Sequence, residues 1–173
     1  KPDFVEMVAT FLTREDERFE VETATSAAEG LDRLADGEYH CVVSDYKMHG
    51  QTRIEFLEAV REERQDLPFI LYTGKGSEEV ASDAIAAGVT DYLQKESGTG
   101  QYAVLANRIT NAVEQYRTGR RAAELDRIRT LASEINKAIV RADSRTAVET
   151  RVCEIISDSD PYRLAWIGEV DAE

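Results

Sequence analysis

Through the first 116 residues, short apolar runs alternate with stretches of helical periodicity, and this alternation constrains the fold more than any single motif. Phe4, Val5, Val8, Phe11 and Leu12 recur at helical spacing between residues 2 and 14, behind a Pro whose missing N–H costs nothing at a helix start. Phe19 to Thr25 then alternates apolar and polar, as a half-covered strand does. Ser26 and Glu29 have the spacing of a capping box, opening a helix that Gly37 ends, and an apolar strand follows over 40–46. Thr52 and Glu55 repeat the box ahead of Ile54, Phe56, Leu57 and Val60, and Pro68 introduces a strand from Phe69 to Thr73. Ser77 opens a helix that Gly88 stops, and Asp91 to Lys95 is a short strand. A helix over 101–116 follows, with Val104, Leu105, Ile109, Ala112 and Val113 inward. Strands and helices at this spacing predict an α/β fold: a doubly wound parallel sheet with helices on both faces.

In such a sheet the carboxyl ends of the strands form the edge where ligands bind. Asp45 closes the run Cys41-Val42-Val43-Ser44, Thr73 closes the next strand and Lys95 the last, so a carboxylate, a hydroxyl and an ammonium converge there. An Asp alone reads as a turn former. In this company it reads as a nucleophile for a phosphoryl group, because an anion attacking an anionic centre needs positive charge and hydrogen-bond donors beside it. Mg²⁺ is the expected cofactor, with Asp45 and the backbone carbonyl of Lys47 as oxygen ligands.

The balance of 34 acidic against 21 basic residues gives a formal charge of -13, and the basic set holds 16 Arg and 5 Lys. A field of this sign disfavours nucleic-acid backbones and anionic membranes as direct partners, and a dispersed acidic surface suits high salt, which screens its self-repulsion. No run approaches the roughly 20 apolar residues of a membrane span, so a cytoplasmic protein is expected. Cys41 and Cys153 read as buried thiols rather than a disulfide or metal pair, and His40 and His49 as loop residues. Gly74-Lys75-Gly76 lacks the spacing of a phosphate-binding loop and reads as a strand-to-helix connection.

With Asp45, Thr73, Lys95 and Tyr92 in these places, residues 1–116 resemble the receiver domain of two-component response regulators. Thr-Gly-Lys-Gly-Ser-Glu-Glu-Val-Ala from Thr73 and Gly-Val-Thr-Asp-Tyr-Leu-Gln-Lys ending at Lys95 look especially like receivers of halophilic archaea. The resemblance implies a flavodoxin-like, five-stranded parallel sheet, with Asp45 as phosphoacceptor from a histidine kinase. It makes Thr73 and Lys95 the residues that assist, and Thr73 with Tyr92 the switch pair. The protein would then be no enzyme in the turnover sense, but an acceptor that assists its own phosphorylation. Two departures stand out. The first strand and the acidic pair that completes the Mg²⁺ site would precede Lys1, so an N-terminally truncated receiver is expected. The loop after Asp45 reads Met48-His49-Gly50-Gln51-Thr52-Arg53, with Arg53 where a turn Gly is common.

Residues 117–142 form a helical linker. Leu125, Ile128, Ala132, Ile135, Ile139 and Ala142 recur at intervals of 3 and 4, a stripe suited either to a parallel homodimer through 125–142 or to packing on the next domain. Gly119 among arginines reads as a joint. Residues 143–173 resemble the opening of a GAF-like sensory domain: a helix over 144–157, then a strand from Tyr162 to Val170 carrying Trp166, a partial α+β unit. The function expected of the whole is a phosphorelay receiver that passes a conformational change to C-terminal sensory or output domains. The alternative is a non-phosphorylated pseudo-receiver serving as a dimerisation or interaction module.

Overall fold

The computed structural model describes residues 2–45, 53–74, 78–161 and 164–167. Two compact units divide the chain, Lys1–Thr118 and Gly119–Glu173. The first contains α1 (Pro2–Glu15), α2 (Ala27–Asp36), β1 (Val42–Ser44), α3 (Arg53–Glu63), β2 (Phe69–Thr73), α4 (Glu78–Ala86) and β3 (Asp91–Gln94), followed by the start of α5 (Gly100–Arg141). The strands are parallel in the order β1-β2-β3, with Ser44 opposite Leu71 and Thr73 opposite Gln94.

The five residues of β2 are all buried, because helices cover both faces of the sheet. Ile70 and Tyr72 meet Val8 and Leu12 of α1 and Tyr102, Leu105, Ala106, Ile109 and Ala112 of α5. On the other face Phe69 packs with Ala27, Leu34, Phe56, Leu57 and Val60 from α2 and α3, while Leu71 meets Ala84 of α4. Alternation along one strand thus assigns successive side chains to opposite layers, as the doubly wound reading requires.

Local signals set the helix ends. Ser26 accepts the N–H of Glu29 at 3.2 Å, while the Glu29 carboxylate takes the N–H and hydroxyl of Thr25, so the box closes one residue before the cap. Gly37 ends α2 with an extended backbone, φ -125°, rather than a left-handed one; a Cβ there would lie 2.6 Å from the Tyr39 ring. Gly88 does take the left-handed conformation, φ 84°, to turn the chain into β3. Arg61 ties the connections together: its guanidinium donates to the carbonyls of Leu67 at 2.7 Å and Gly88 at 3.0 Å, at the entries to β2 and β3.

Several expectations are corrected. Four of the sheet's five strands are expected within these residues, and three are present among the described ones. Phe19 to Thr25 is not laddered, since β1 carries no neighbour on its outer edge among the described residues and a strand exists only by pairing. Side chains hold this segment instead: Phe19 packs on the core and Glu22 accepts from Tyr39 and Arg33. The strand over 40–46 shortens to Val42–Ser44, and Val104, expected inward, is 46% exposed. The helix expected to end at Tyr116 continues to Arg141 with Gly119 inside it, because one Gly costs only about 1 kcal/mol against good helix formers on both sides. Thr52, Ser77, Lys47 and His49 lie outside the described residues.

In the second unit Ser144 caps α6 (Arg145–Ser157), accepting from the Ala147 N–H, and Ile155 is buried. The strand expected from Tyr162 to Val170 is not formed across residues 164–167, where Leu164 and Trp166 are exposed and no ladder partner is present among the described residues. Leu125, Ile128, Ile139 and Val140 are also exposed, and among the described residues no helix is long and apolar enough to cross a membrane.

Arg61→Ala strands two carbonyls at strand entries and is expected to lower unfolding stability by about 2 kcal/mol in urea titrations, with Arg61→Lys recovering only part. The Glu29 carboxyl is held down to about 2 by the Thr25 N–H, then by Arg33 and the Thr25 hydroxyl. Its contribution to stability is therefore present above its ordinary value of 4.5 and is lost as pH falls through about 2. Stability measured across that window should fall less for Glu29→Gln than for the native chain.

Candidate functional site

The site is assembled by register. Because β1, β2 and β3 run parallel, their carboxyl ends lie together, and the residues that leave them are Asp45, Thr73 and Lys95. The Lys95 N–H donates to the Thr73 carbonyl at 2.7 Å, carrying the ladder one step past β3 and fixing where the lysine stem begins. That stem passes Gly74, where an added Cβ would lie 3.8 Å from Lys95 Cδ. The ammonium then reaches the Asp45 carboxylate, Nζ to Oδ2 2.7 Å.

This ion pair is half-buried, with side-chain exposures of 16% for Lys95 and 37% for Asp45. The lysine is the more enclosed partner because aromatic rings cover it. Nζ lies 4.0 Å from the Phe4 ring centroid and 5.3 Å from that of Tyr72. The Tyr72 hydroxyl is hydrogen-bonded to Gln101 Oε1, and burial, with Tyr102, Asp45 and Glu96 nearby, pushes the phenol up to about 12. Thr73 is 1% exposed at the end of the central strand, and Ser44 is buried beside Asp45. Cys41, just before β1, has its thiol pushed up to about 12 by burial and packs on the core, in keeping with a structural role.

Asp45, Thr73 and Lys95 therefore share one edge, and the structure joins two of them directly. Tyr92 is half-buried against Leu71, Ala84 and Val89, on the face of β3 opposite Leu93 and Lys95. The Lys47 carbonyl lies outside the described residues. Asp45 is a hard oxygen donor of the kind Mg²⁺ takes, but among the described residues no group of three or more His, Cys, Asp or Glu converges. The donors fit the ion in kind and leave most of its coordination to other oxygens.

Sequence reasoning placed Phe4 on an apolar helix face and gave Tyr72 and Gln101 no part in the site. One signal was available. A tyrosine in a fully buried strand must find a partner for its hydroxyl, and the nearest polar candidates follow the next strand.

The profile of the response regulator receiver domain matches residues 1–107. ActR of Rhizobium meliloti, an acid tolerance regulatory protein, is 30% identical over 111 residues, covering 64% of this chain and 56% of its own. NtrX of Azorhizobium caulinodans, a nitrogen assimilation regulatory protein, is 26% identical over 151 residues, 86% of this chain and 32% of its own. The chain thus spans about a third to just over half the length of these relatives. Among solved structures, a CheY-like receiver domain protein from Methanospirillum hungatei superposes with a TM-score of 0.60 at 24% identity, over 69% of this chain and 91% of that one. It shares the fold. A match of this extent, over residues that form the parallel sheet and its helices, places the chain in the response regulator receiver domain family.

Proposed function

We propose that the chain is a phosphoacceptor in a two-component relay, with Asp45 taking a phosphoryl group from the phosphohistidine of a histidine kinase. The observation that carries this reading is the 2.7 Å contact between Lys95 Nζ and Asp45 Oδ2 at the carboxyl edge of the sheet, with Thr73 ending the strand between. An Asp45 oxygen attacks phosphorus, the P–N bond to the kinase imidazole breaks and the imidazole leaves with the electron pair. Lys95 neutralises charge on the transferring oxygens, and the Thr73 hydroxyl donates to one of them. Mg²⁺, held in part by Asp45 and the Lys47 carbonyl, would supply further positive charge to those oxygens. The acceptor assists its own modification and needs no turnover site of its own.

In this reading Thr73 and Tyr92 form the switch: a shift of Thr73 toward phosphate changes the packing of Tyr92 on Leu71 and Ala84. A five-stranded sheet is supported by the outer edge of β1, which carries no ladder partner among the described residues. The tail is read as a helical linker, dimeric through 125–142, leading into a GAF-like domain. Support comes from Leu125 and Ile128, 62% and 50% exposed on the heptad stripe. The charge of -13 supports a cytoplasmic protein of high-salt habitat that does not itself grip DNA; the relatives named above are an acid tolerance and a nitrogen assimilation regulatory protein.

Beryllofluoride with Mg²⁺ in high salt should shift the amide signals of Thr73, Tyr92 and Lys95 saturably, and Asp45→Asn should abolish the response. Thr73→Val keeps a β-branched residue in the strand and should slow phosphorylation by acetyl phosphate roughly 100-fold. A folded chain that binds no beryllofluoride would be a pseudo-receiver. Leu125→Glu with Ile128→Glu should convert a dimer to a monomer in sedimentation equilibrium.

A further inference from the structure

Lys95 is held by more than its partner carboxylate. A ring face presents negative charge density to a cation, and two rings do so here from different elements, Phe4 on α1 and Tyr72 on β2, at 4.0 and 5.3 Å from the ammonium. The second ring is itself fixed. Gln101 Oε1 accepts from the Tyr72 hydroxyl and from the Glu96 N–H at 3.2 Å, while Gln101 Nε2 donates to the Gly98 carbonyl at 2.8 Å. One amide in the first turn of α5 therefore secures both the Tyr72 ring and the loop that leaves Lys95.

We propose that Phe4, Tyr72 and Gln101 are positioning residues for Lys95, seating its ammonium at Asp45 before and during arrival of a phosphoryl group. The inference rests on the phosphoacceptor reading and deepens it. A lysine stem loses rotamer freedom when held in one place, and an ion pair whose carboxylate is 37% exposed holds it weakly, more so when salt screens the pair. An incoming phosphoryl group also inserts between carboxylate and ammonium and consumes the charge that held them together. Ring contacts depend on the ammonium's own charge and not on the carboxylate's. The seat therefore persists through the step in which the ion pair is lost, leaving the ammonium aimed at the oxygens of the transferred group.

The test uses the full chain and two readouts. Protons on Lys95 Cε, bonded to an ammonium nitrogen that lies over two rings, should resonate upfield of those of the other lysines, and Phe4→Leu should remove most of that displacement. Phosphorylation by acetyl phosphate should then reach a maximal rate about 3- to 10-fold lower in Phe4→Leu, with the apparent donor affinity unchanged. Phe4→Tyr, which restores a ring, should recover the rate. Tyr72→Phe keeps the ring but unties it from Gln101, and should match Gln101→Leu in a smaller rate loss. Undisplaced Lys95 signals in the native chain would overturn the proposal. So would a native rate in Phe4→Leu whose thermal unfolding is unchanged. A displaced signal that Phe4→Leu removes, in a chain that acetyl phosphate never modifies, supports the seat and overturns the phosphoacceptor reading.

Discussion

The structure of the first unit depends on β2 being buried on both faces and hydrogen-bonded on both edges. Its five residues have no solvent to satisfy their backbone, so β1 and β3 must ladder to it, and its side chains must be met by helices above and below. Register then does the rest. Once Ser44 faces Leu71 and Gln94 faces Thr73, the residues that leave the three strands emerge side by side. The meeting of Asp45 with Lys95, fifty positions apart in sequence, follows from ladder geometry and requires no specific attraction to bring it about.

Charge is used differently in different places. Arg61 and Arg64 spend their guanidinium groups on backbone carbonyls, those of Leu67 and Gly88 for the first and of Leu34 and Gly37 for the second, where a planar fork suits two acceptors at once. The site takes a lysine, whose compact ammonium can change partners without rotating a planar group. On a chain with 34 acidic residues, Lys95 sets a positive charge directly against the acidic group at the sheet edge.

Much of this was legible in the sequence because the signals were local. Pro68 followed by an unbroken apolar run predicted β2, helical spacing predicted α1 and α3, and strand endings placed Asp45, Thr73 and Lys95 on one edge. The failures have physical causes. Phe19 to Thr25 carries strand periodicity, but pairing is a property of a neighbour. Gly119 marks a weak point in helix propensity that its flanking residues outweigh. The rings around Lys95 come from positions 4 and 72, and no spacing rule links them to position 95. The opposite placement of Tyr92 and Lys95, by contrast, was readable from simple alternation along β3.

The protein has one tryptophan, Trp166, which is 80% exposed and belongs to the Gly119–Glu173 unit, whereas all five phenylalanines lie at or before Phe69. Indole emission excited at the red edge thus originates wholly outside the unit that contains Asp45, while tyrosine emission arises mainly within it. The chain carries a built-in optical division between its halves. A change in indole emission upon occupancy of Asp45 would be a direct record of communication between the two units, with no added label to perturb either.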